Sequence, residues 1–440
     1  MKILLFSDQY YPLGGGIEQY LRGLGRELTR QGYKNTILTR TIEGSSKWEE
    51  MPEGLVIRTP LLLDAIPHPE KVLKRWRALL PIIKDISPDI VYANHHASLA
   101  AIKACKELRI PIVYGCHGWG LLCPLKIRFL RPDNSLCWNE RRRDNCVQCF
   151  RILGNQRVID SVMDVLRSIK RRYAILKTIP DLVAKYDMFQ RLIEDAEARI
   201  VLAKAWKGFL KIKDTFIIPL GLDIDVFKKA ADSVIDEFRK KYGLQGKYIL
   251  ITSRIHNIKG HEWAIRAMQF LPNDLKLVIA GNSSLFSGSK FEDNIHTQKA
   301  ISLIEKIGIK DRVIFTGFLD TEEMIQAYSG ASATVVPSIW LEPFGYVTAE
   351  AMACECPVIV TENCGTAEII TNGVEGYVIP RMNSEAIAEA VLNIIPKRVE
   401  MGKMARRTVV KTLNWNHIAV QILEVLEKVV ATYNRPTAVL

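Results

Sequence analysis

The sequence predicts an α/β fold made of two Rossmann-like domains, each a doubly wound parallel sheet, that face each other across a central cleft. The chain has 440 residues, which is more than one hydrophobic core usually holds. Short apolar strands alternate with helical segments in the first half, a pattern typical of parallel sheets covered by helices. The same alternation starts again in the second half. Ligands bind such sheets at the carboxyl ends of the strands, so the cleft is the expected site.

The first predicted domain spans residues 1–218. Its opening segment, KILLFSDQYYPLGGGIEQYLRGLGRELTRQGYKNTILTR, contains a strand, a glycine loop, a helix and a second strand. Ile17, Leu21 and Leu24 recur at helical spacing, which predicts a helix with one apolar face. The runs GLVIRT, PDIVYAN and PIVYGCHG add three strands. Residues 119–215 carry a cysteine-containing loop and a basic, mostly helical stretch, and we interpret them as an insertion in this domain.

The second predicted domain spans residues 219–412 and repeats the alternation. Its strands are the β-rich runs YILITSR, LKLVIAGN, RVIFTGF, ATVVPS and CPVIVTE. The two domains join near FIIPLGLDIDVF, where Pro219 and Gly221 interrupt regular structure. The last segment, residues 413–440, contains the helical run WNHIAVQILEVLEKVVATY, which we expect to cross back to the first domain.

Charge is distributed unevenly along the chain. The formal net charge is +12, yet residues 1–220 contain 36 Lys and Arg against 23 Asp and Glu, whereas residues 221–440 contain 24 against 25. A basic half suits an anionic membrane surface, a lipid-linked anionic acceptor or a solvated face, and these options stay open. No nucleic-acid partner is expected, because the sequence contains no zinc-finger, RNA-recognition or helix-turn-helix pattern.

The sequence favours a cytoplasmic location. No run approaches the ~20 apolar residues that span a bilayer. The opening MKILLF is followed too soon by Ser7 and Asp8 to act as a secretory signal. Peripheral binding at the inner face of the membrane stays open.

Gly14, Gly15 and Gly16 follow the first strand and open the first helix. Glycine lets backbone N–H groups approach an anion, and a helix N-terminus attracts negative charge, so this loop is a candidate phosphate site. A flexible loop explains the glycines equally well. The spacing is not G-x-G-x-x-G, so a nicotinamide cofactor is not expected.

Two cations and three histidines follow predicted strands. Arg254 and Lys259, in SRIHNIKG, end the second domain's first strand and suit a diphosphate whose charge must be neutralised. The alternative for them is a solvated surface pair. His117 lies in YGCHGWG, and His95 and His96 lie in YANHHASLA. These histidines either contact a ligand or serve as structural hydrogen-bonding groups.

Glu342 and Glu350, in SIWLEPFGYVTAEAMACECPVIVT, are the strongest candidate pair. The first lies in a predicted loop and the second in the helix that follows, so both can point into one cleft. Two carboxylates also suit the acid and base of a hydrolase. The neighbouring cations and glycine loops instead favour a sugar attached to phosphates, and FGYV would present backbone N–H groups at the helix start.

In the order and spacing of these motifs the chain resembles retaining glycosyltransferases of family 4, which have the GT-B fold. The matching segments are GGGIEQY, HGW, PLGLDIDVF, SRIHNIKG, AGN, FTGFL, PSIWLEPFGYVTAEAMACECPVIVT and CGTAEIITNGVEGYVI. The resemblance covers nearly the whole chain except the region near 119–215. The chain departs from the family pattern at Cys364, which replaces a glycine, and at Leu220, which replaces an asparagine.

The resemblance implies a role for each matching residue. Arg254 and Lys259 would bind the donor diphosphate. Glu350 would bind the nucleotide ribose, Glu342 the hydroxyl groups of the transferred sugar, and His117 would also contact that sugar. Further donor contacts are implied for Gly15 and Gly16 at the diphosphate, for Phe344, Gly345, Tyr346 and Val347 through their main chain, and for Gly317 and Phe318 near the base.

The resemblance also implies the chemistry. A sugar would pass from a nucleotide-sugar donor to a glycan or lipid-linked acceptor with retained configuration. Protein cations would stand in place of a metal ion, so no cofactor is required for catalysis. Front-face attack is favoured, and a covalent enzyme intermediate is the alternative. Two other functions stay open, a nucleotide-sugar epimerase of the same architecture and a non-catalytic nucleotide-sugar-binding protein.

Nine cysteines occur in the chain, and in a cytoplasmic protein they are not expected to form structural disulfides. Four of them lie in CPLKIRFLRPDNSLCWNERRRDNCVQC, which ends in a C-x-x-C pair. This cluster either holds a structural zinc ion or consists of free or paired thiols. Its members are Cys123, Cys137, Cys146 and Cys149. Three cysteines near the donor-site helix are expected to be buried: Cys354, Cys356 and Cys364.

Overall fold

The chain folds into two compact units of α/β structure. The computed structural model describes residues 1–12, 15–63, 69–118, 121, 134–137, 149, 184–185, 187–205, 213–281 and 295–433. Unit 1 comprises Met1–Pro219 with Ala419–Leu440, and unit 2 comprises Leu220–Ile418.

Unit 1 is built on one sheet of eight strands. The strands are β1 (Lys2–Ser7), β2 (Lys34–Arg40), β3 (Trp48–Met51), β4 (Gly54–Thr59), β5 (Ile90–Asn94), β6 (Ile112–Cys116), β7 (Ala198–Val201) and β8 (Thr215–Ile217). Their order across the sheet is β3-β4-β2-β1-β5-β6-β7-β8. The labelled helices of this unit are α1 (Gly16–Arg30), α2 (Pro69–Lys74), α3 (Trp76–Ile86) and α4 (Ser98–Leu108).

The central strands β5 and β6 of unit 1 are buried along their whole length, as expected for parallel strands covered by helices on both faces of the sheet. Leu21, Leu24 and Leu28 are fully buried on one face of α1, which confirms the amphipathic helix predicted after the glycine loop.

Strand order in unit 1 reverses between β1 and β5. The chain passes from β1 to β2 and β4 on one side, then crosses to β5 and continues through β8 on the other. Such a reversal leaves a crevice at the carboxyl ends of the two central strands. Asp8 follows β1 at this point, and His95 and His96 follow β5.

Two features of unit 1 differ from the sequence prediction. Strand β3 pairs antiparallel with β4 at the sheet edge, and its sequence WEEM contains no apolar run that would have predicted it. Strand β7 pairs with β6 and all its residues are buried, although it lies within the range 119–215 assigned to an insertion. Residues Ala198–Val201 are therefore part of the sheet and not of an insertion.

Unit 2 is built on a fully parallel sheet of six strands. The strands are β9 (Tyr248–Thr252), β10 (Lys276–Ala280), β11 (Val313–Gly317), β12 (Ala333–Val336), β13 (Val358–Thr361) and β14 (Gly376–Ile379). Their order is β11-β10-β9-β12-β13-β14. The helices are α5 (Asp232–Lys241), α6 (His261–Ala267), α7 (Ile295–Lys306), α8 (Thr321–Gly330), α9 (Tyr346–Ala353), α10 (Ser384–Ile394) and α11 (Arg398–Thr412), and helix α12 (Trp415–Tyr433) follows them in the chain.

Strand order in unit 2 reverses between β9 and β12, so the crevice of this sheet lies at the carboxyl ends of those two strands. The sheet is anchored by side chains such as Ile249, Leu277 and Val335, which are fully buried in one apolar core. The residues that follow β9 and β12 therefore extend from a rigid support.

The described helices do not include a membrane-spanning candidate. The longest of them, α12, has 19 residues and carries Glu424, Glu427 and Lys428 within its length. Across the described ranges, no helix combines the length and the apolar character that crossing a bilayer requires.

Candidate active site

The crevice of unit 2 brings together the strongest residues predicted from the sequence. Arg254 is half-buried just after β9, and Lys259 ends a short 3-10 turn, Asn257–Lys259, in the same connection. Glu342 lies in the loop after β12. Lys259 Nζ is 2.6 Å from Glu342 Oε2, and both side chains are mostly shielded from solvent. The structure therefore pairs two of the predicted residues directly.

One oxygen of the Glu342 carboxylate receives three hydrogen bonds. Lys259 Nζ donates to Oε2 at 2.6 Å, Trp340 Nε1 donates to it at 2.8 Å, and Ser338 Oγ donates to it at 3.1 Å. Among the described residues, every side-chain hydrogen bond to this carboxylate ends on Oε2. Charge-assisted bonds of this kind hold a carboxylate in one orientation. Oε1 is thereby the oxygen left for a ligand.

The connection after β9 is held close to the loop after β12 by backbone contacts. Gly260 has φ 72°, and a Cβ atom at this position would overlap the Pro337 carbonyl oxygen. Ile339 N–H donates to the Ile258 carbonyl oxygen at 2.9 Å. Only glycine combines this backbone conformation with so close an approach, and the approach sets the position of Lys259.

Glu350 lies in helix α9 and is 6% exposed. Burial raises the pKa of its carboxyl group to about 7, although a hydrogen bond from Tyr328 acts in the opposite direction. Tyr328 Oη donates to Glu350 Oε2 at 3.0 Å and lies 3.0 Å from Thr252 Oγ1. Tyr328 thus links the Glu350 carboxyl group to Thr252, the last residue of β9.

The segment between the two glutamates forms a tight turn into helix α9. Gly345, with φ 94°, precedes the first helical residue, Tyr346. Phe344 is 2% exposed, and its carbonyl oxygen accepts a hydrogen bond from Cys364 Sγ at 3.2 Å. Val347 is half-buried in the first helical turn. The predicted start of a helix at FGYV is confirmed.

The Tyr346 hydroxyl group is buried next to Glu350. Burial raises its pKa, and the neighbouring charge of Glu350 raises it further. Among the described residues this hydroxyl has no hydrogen-bond partner. Burying a hydroxyl group costs free energy unless a ligand or a water molecule makes its hydrogen bond. The Tyr346 hydroxyl is therefore a candidate ligand contact that the sequence motif alone did not predict.

Gly317 and Phe318 lie at the carboxyl end of β11. Gly317 has φ 74°, and its carbonyl oxygen accepts a hydrogen bond from Gly281 N–H at 2.8 Å. The Phe318 ring is 76% exposed. An exposed aromatic ring at a strand end can stack on a planar group such as a nucleobase.

Three of the residues predicted to contact the donor, Gly15, Gly16 and His117, belong to unit 1. Gly15, with φ 131°, directly precedes helix α1, which begins at Gly16; Gly14 lies outside the described residues. His117 follows β6 and packs on the Tyr20 ring with 4.3 Å between ring centroids. Burial lowers the pKa of His117 to about 3, with a smaller contribution from His95, so its imidazole is neutral at physiological pH.

The predicted zinc cluster falls mainly outside the described part of the chain. Cys123 and Cys146 are not described, whereas Cys137 is half-buried and Cys149 is buried. The zinc site therefore stays a prediction. Cys354, Cys356 and Cys364 are buried as expected, and burial raises the pKa of the Cys364 thiol to about 11.

Three supporting residues were not identified from the sequence. Trp340 and Ser338 stand within four residues of Glu342, so an inspection of polar neighbours would have suggested them. Tyr328 gives no such signal, because it reaches Glu350 from another helix, 22 residues away.

Comparisons with known proteins agree with this arrangement. A model described as "Glycosyl transferases group 1" matches residues 234–427, and one described as "Glycosyltransferase Family 4" matches residues 14–152. Mannosylfructose-phosphate synthase of Agrobacterium fabrum is 25% identical over 97% of this chain and 91% of its own length. Several other curated relatives are matched over about half of their own length.

Solved structures share the fold over nearly the whole chain. Sucrose-phosphate synthase of Thermosynechococcus elongatus has a TM-score of 0.70 at 22% identity, covering 98% of this chain and 99% of that chain. HepE of Anabaena in complex with UDP and glucose has a TM-score of 0.67 at 20% identity, covering 97% and 100%. These likenesses confirm the predicted GT-B fold of two parallel-sheet α/β domains.

Proposed function

The chain belongs to the family 4 glycosyltransferases and is a nucleotide-sugar-dependent enzyme, and from this premise we propose the reaction. A hexose passes from the nucleotide-sugar to a hydroxyl group of a glycan or lipid-linked acceptor, with retained anomeric configuration and without a metal ion at the reaction centre. The observation that carries the proposal is the Lys259–Glu342 pair at the crevice of unit 2, a cation next to a carboxylate whose orientation is fixed.

The proposed reaction breaks the bond between the anomeric carbon and the diphosphate oxygen. Negative charge develops on the leaving diphosphate, and Arg254 and Lys259 stabilise it as a metal ion would. The acceptor hydroxyl attacks from the same face, and its proton passes to the departing phosphate oxygen. Stabilisation that grows as the bond breaks accelerates the chemical step.

The two glutamates have separate roles in this proposal. Glu342 Oε1 accepts hydrogen bonds from the hydroxyl groups of the transferred sugar, while Oε2 stays bound to protein donors. Glu350 accepts from the ribose hydroxyl groups. A ribose bond to the ionised carboxylate offsets part of the cost of burying that charge.

The remaining predicted residues complete the donor site in this proposal. The main chain of Phe344, Gly345, Tyr346 and Val347 contacts sugar and phosphate, Phe318 stacks on the base beside Gly317, and Gly15 and Gly16 bind the diphosphate. His117, neutral at physiological pH, contacts the sugar.

The names of the relatives suggest which donors and acceptors to test first. One relative is named a mannosylfructose-phosphate synthase, a structural neighbour is a sucrose-phosphate synthase, and another neighbour holds UDP and glucose. Hexose phosphates are therefore worth testing as acceptors beside glycans and lipid-linked sugars, and UDP-glucose is the first donor to test.

If the acceptor is membrane-bound, the basic surface of unit 1 would bind the anionic bilayer that contains it. Lys71, Lys74, Arg77 and Lys84 are exposed on helices α2 and α3, and each cation near an anionic bilayer contributes about 1 kcal/mol. Cosedimentation with anionic vesicles at low salt, lost at high salt, would support this part of the proposal. If the protein stays in the supernatant at low salt, the acceptor is not met at an anionic surface.

The reaction is tested by measuring release of nucleoside diphosphate from UDP-, GDP- and ADP-sugars with each acceptor class. Acceptor-dependent release and a product of unchanged anomeric configuration, determined by NMR, support the proposal. Conversion of the donor to its epimer would identify an epimerase instead, and binding without turnover would identify a non-catalytic protein.

Lys259→Met gives the residue-specific test. Removing a cation that stabilises developing charge lowers kcat by about 100-fold to 1,000-fold. The matched control is Lys240→Met, which alters an exposed lysine in helix α5 and leaves kcat unchanged. Equal activity of both variants would contradict the proposed role of Lys259.

A further inference from the structure

The crevice of unit 1 contains a cluster of three side chains that the proposed reaction does not use. Asp8 follows β1, and His95 and His96 follow β5, so the reversal of strand order brings them together. One ligand atom from each lies within 4.8 Å of the ligand atoms of the other two. Asp8 is fully buried, and the two histidines are partly buried.

The Asp8 carboxylate is held by two contacts that leave its orientation fixed. Oδ1 accepts a hydrogen bond from Ala97 N–H at 2.8 Å, and Oδ2 lies 2.8 Å from His95 Nδ1. His95 adopts φ 69°, a left-handed conformation that is unfavourable for a residue with a side chain. The backbone therefore holds His95 at Asp8 at an energetic cost.

The second histidine completes a three-sided arrangement. His96 Nδ1 lies 3.2 Å from His95 Nδ1, and the two rings are 88° apart. Ligand atoms that share one metal ion at bond lengths of about 2.0–2.2 Å stand roughly 3–3.5 Å from each other. The Asp8–His95 and His95–His96 separations are close to this range. Both separations are also within hydrogen-bond distance, so a metal titration is needed to distinguish metal coordination from hydrogen bonding.

We propose that Asp8, His95 and His96 form a binding site for a divalent transition-metal ion in unit 1. Two imidazole nitrogens and one carboxylate oxygen are ligands that zinc, cobalt and nickel prefer, whereas magnesium prefers oxygen ligands alone. Three protein ligands leave at least one coordination position open to water or an anionic oxygen. Its three residues are not among those assigned to the donor, and the proposal does not depend on the proposed function.

Cobalt binding to the metal-free 440-residue chain tests the proposal. The chain is treated with a chelator, dialysed, and titrated with Co²⁺ while visible absorption and binding heat are followed. We expect visible d–d bands that saturate at one equivalent and are displaced by Zn²⁺. Cobalt held by the cysteine cluster would instead give sulfur-to-metal charge-transfer absorption in the near ultraviolet, so the two sites are distinguishable.

Substitutions assign the binding to these residues. Asp8→Asn and His96→Gln each lower the Co²⁺ affinity at least tenfold, because each removes a ligand. His96 is only partly buried, so His96→Gln leaves the fold intact even if Asp8→Asn does not. His417→Gln is the control, since His417 is exposed in helix α12, and it binds Co²⁺ as the unaltered chain does.

Two results would overturn the proposal. One is the absence of any saturable cobalt band free of sulfur charge transfer in the unaltered chain. The other is a band of unchanged affinity in folded His96→Gln protein, with folding checked by circular dichroism and thermal melting without metal. Either result would leave the cluster as a hydrogen-bonded structural feature.

Discussion

The Glu342 carboxylate shows how single side chains set the geometry of the proposed donor site. Trp340 donates from a rigid indole ring that also lies 5.5 Å from Lys259 Nζ, measured to the ring centroid. The ring therefore contacts both members of the ion pair. A carboxylate with one oxygen bound to protein presents the other at a defined point, which is the form of preorganisation that enzymes use for polar ligands.

Trp340→Phe is expected to lower kcat and leave the fold unchanged. The substitution keeps most of the ring but removes the N–H donor, and a hydrogen bond to a charged group contributes about 1.5–3 kcal/mol. If the bond matters mainly in the transition state, kcat falls about 10-fold to 100-fold, whereas KM for the donor changes little. Steady-state kinetics check this, with Trp48→Phe as control because Trp48 is 67% exposed in unit 1. Equal kcat values for the two variants would contradict the positioning role.

Glu350 gives a prediction on stability and pH. Its pKa is about 7 in the folded chain against an ordinary value of 4.5, so the folded state binds more protons than the unfolded state between these values. The free energy of unfolding therefore falls as the pH rises from about 4.5 to 7. Glu350→Gln removes this dependence. The variant gains about 3 kcal/mol relative to the unaltered chain between pH 4.5 and pH 8, while donor binding weakens.

Denaturant unfolding at pH 5 and pH 8 measures this effect. Glu237→Gln serves as control because Glu237 is exposed in helix α5. A stability difference between Glu350→Gln and the unaltered chain that is the same at both pH values would show that Glu350 does not titrate as expected.

At the scale of elements, the connections after β9 and β12 act together. They meet through the Ile339–Ile258 backbone hydrogen bond and through the close approach of Gly260 to Pro337. Because β9 and β12 are neighbours at the reversal of strand order, the two loops lie side by side although they are distant in the chain. The position of Lys259 relative to Glu342 depends on this contact.

Gly260→Ala is expected to disrupt the contact between the two loops. A Cβ atom would overlap the Pro337 carbonyl oxygen in a backbone conformation already unfavourable for alanine. The matched control is Gly308→Ala, because Gly308 has φ 71° and nothing within 4 Å of the added atom. The control loses about 1 kcal/mol from strain alone, whereas Gly260→Ala loses at least about 2 kcal/mol more through the overlap.

Thermal and denaturant unfolding of both variants, together with donor affinity, check this prediction. Similar losses for Gly260→Ala and Gly308→Ala would show that the loop moves away without cost. Donor affinity should decrease in Gly260→Ala and stay unchanged in Gly308→Ala.

At the scale of the whole molecule, catalysis is expected to continue without divalent metal ions. In the proposed reaction Arg254 and Lys259 supply the positive charge at the diphosphate, so chelation should leave initial rates within about twofold. The assay compares protein dialysed against a chelator with the same protein after Zn²⁺ or Mg²⁺ is restored. Loss of activity on chelation, with recovery on adding metal, would contradict metal-independent transfer. Metal binding by Asp8, His95 and His96 is measured separately, by the visible absorption of Co²⁺ bound to the whole chain.

Much of the fold was predictable from local patterns. Strands such as β5 and β9 were identified because burial on both faces makes them continuous apolar runs. Helix α1 was identified because burial on one face repeats apolar residues at helical spacing. The edge strand β3 was not, since its WEEM sequence carries two charged residues. Strand β7 was assigned to an insertion because its basic surroundings concealed a short buried run.

The sequence by itself determined the two parallel-sheet units and the candidate residues Arg254, Lys259, Glu342 and Glu350, because these depend on periodicity and on short motifs at strand ends. Only the tertiary structure decided which atoms meet. Lys259 contacts Glu342 across 83 residues and Asp8 contacts His95 across 87. Such pairs depend on which strands become neighbours, and hydrogen bonds require distances and angles that no local pattern specifies. The single bound oxygen of Glu342 and the cluster in unit 1 are therefore properties of strand order.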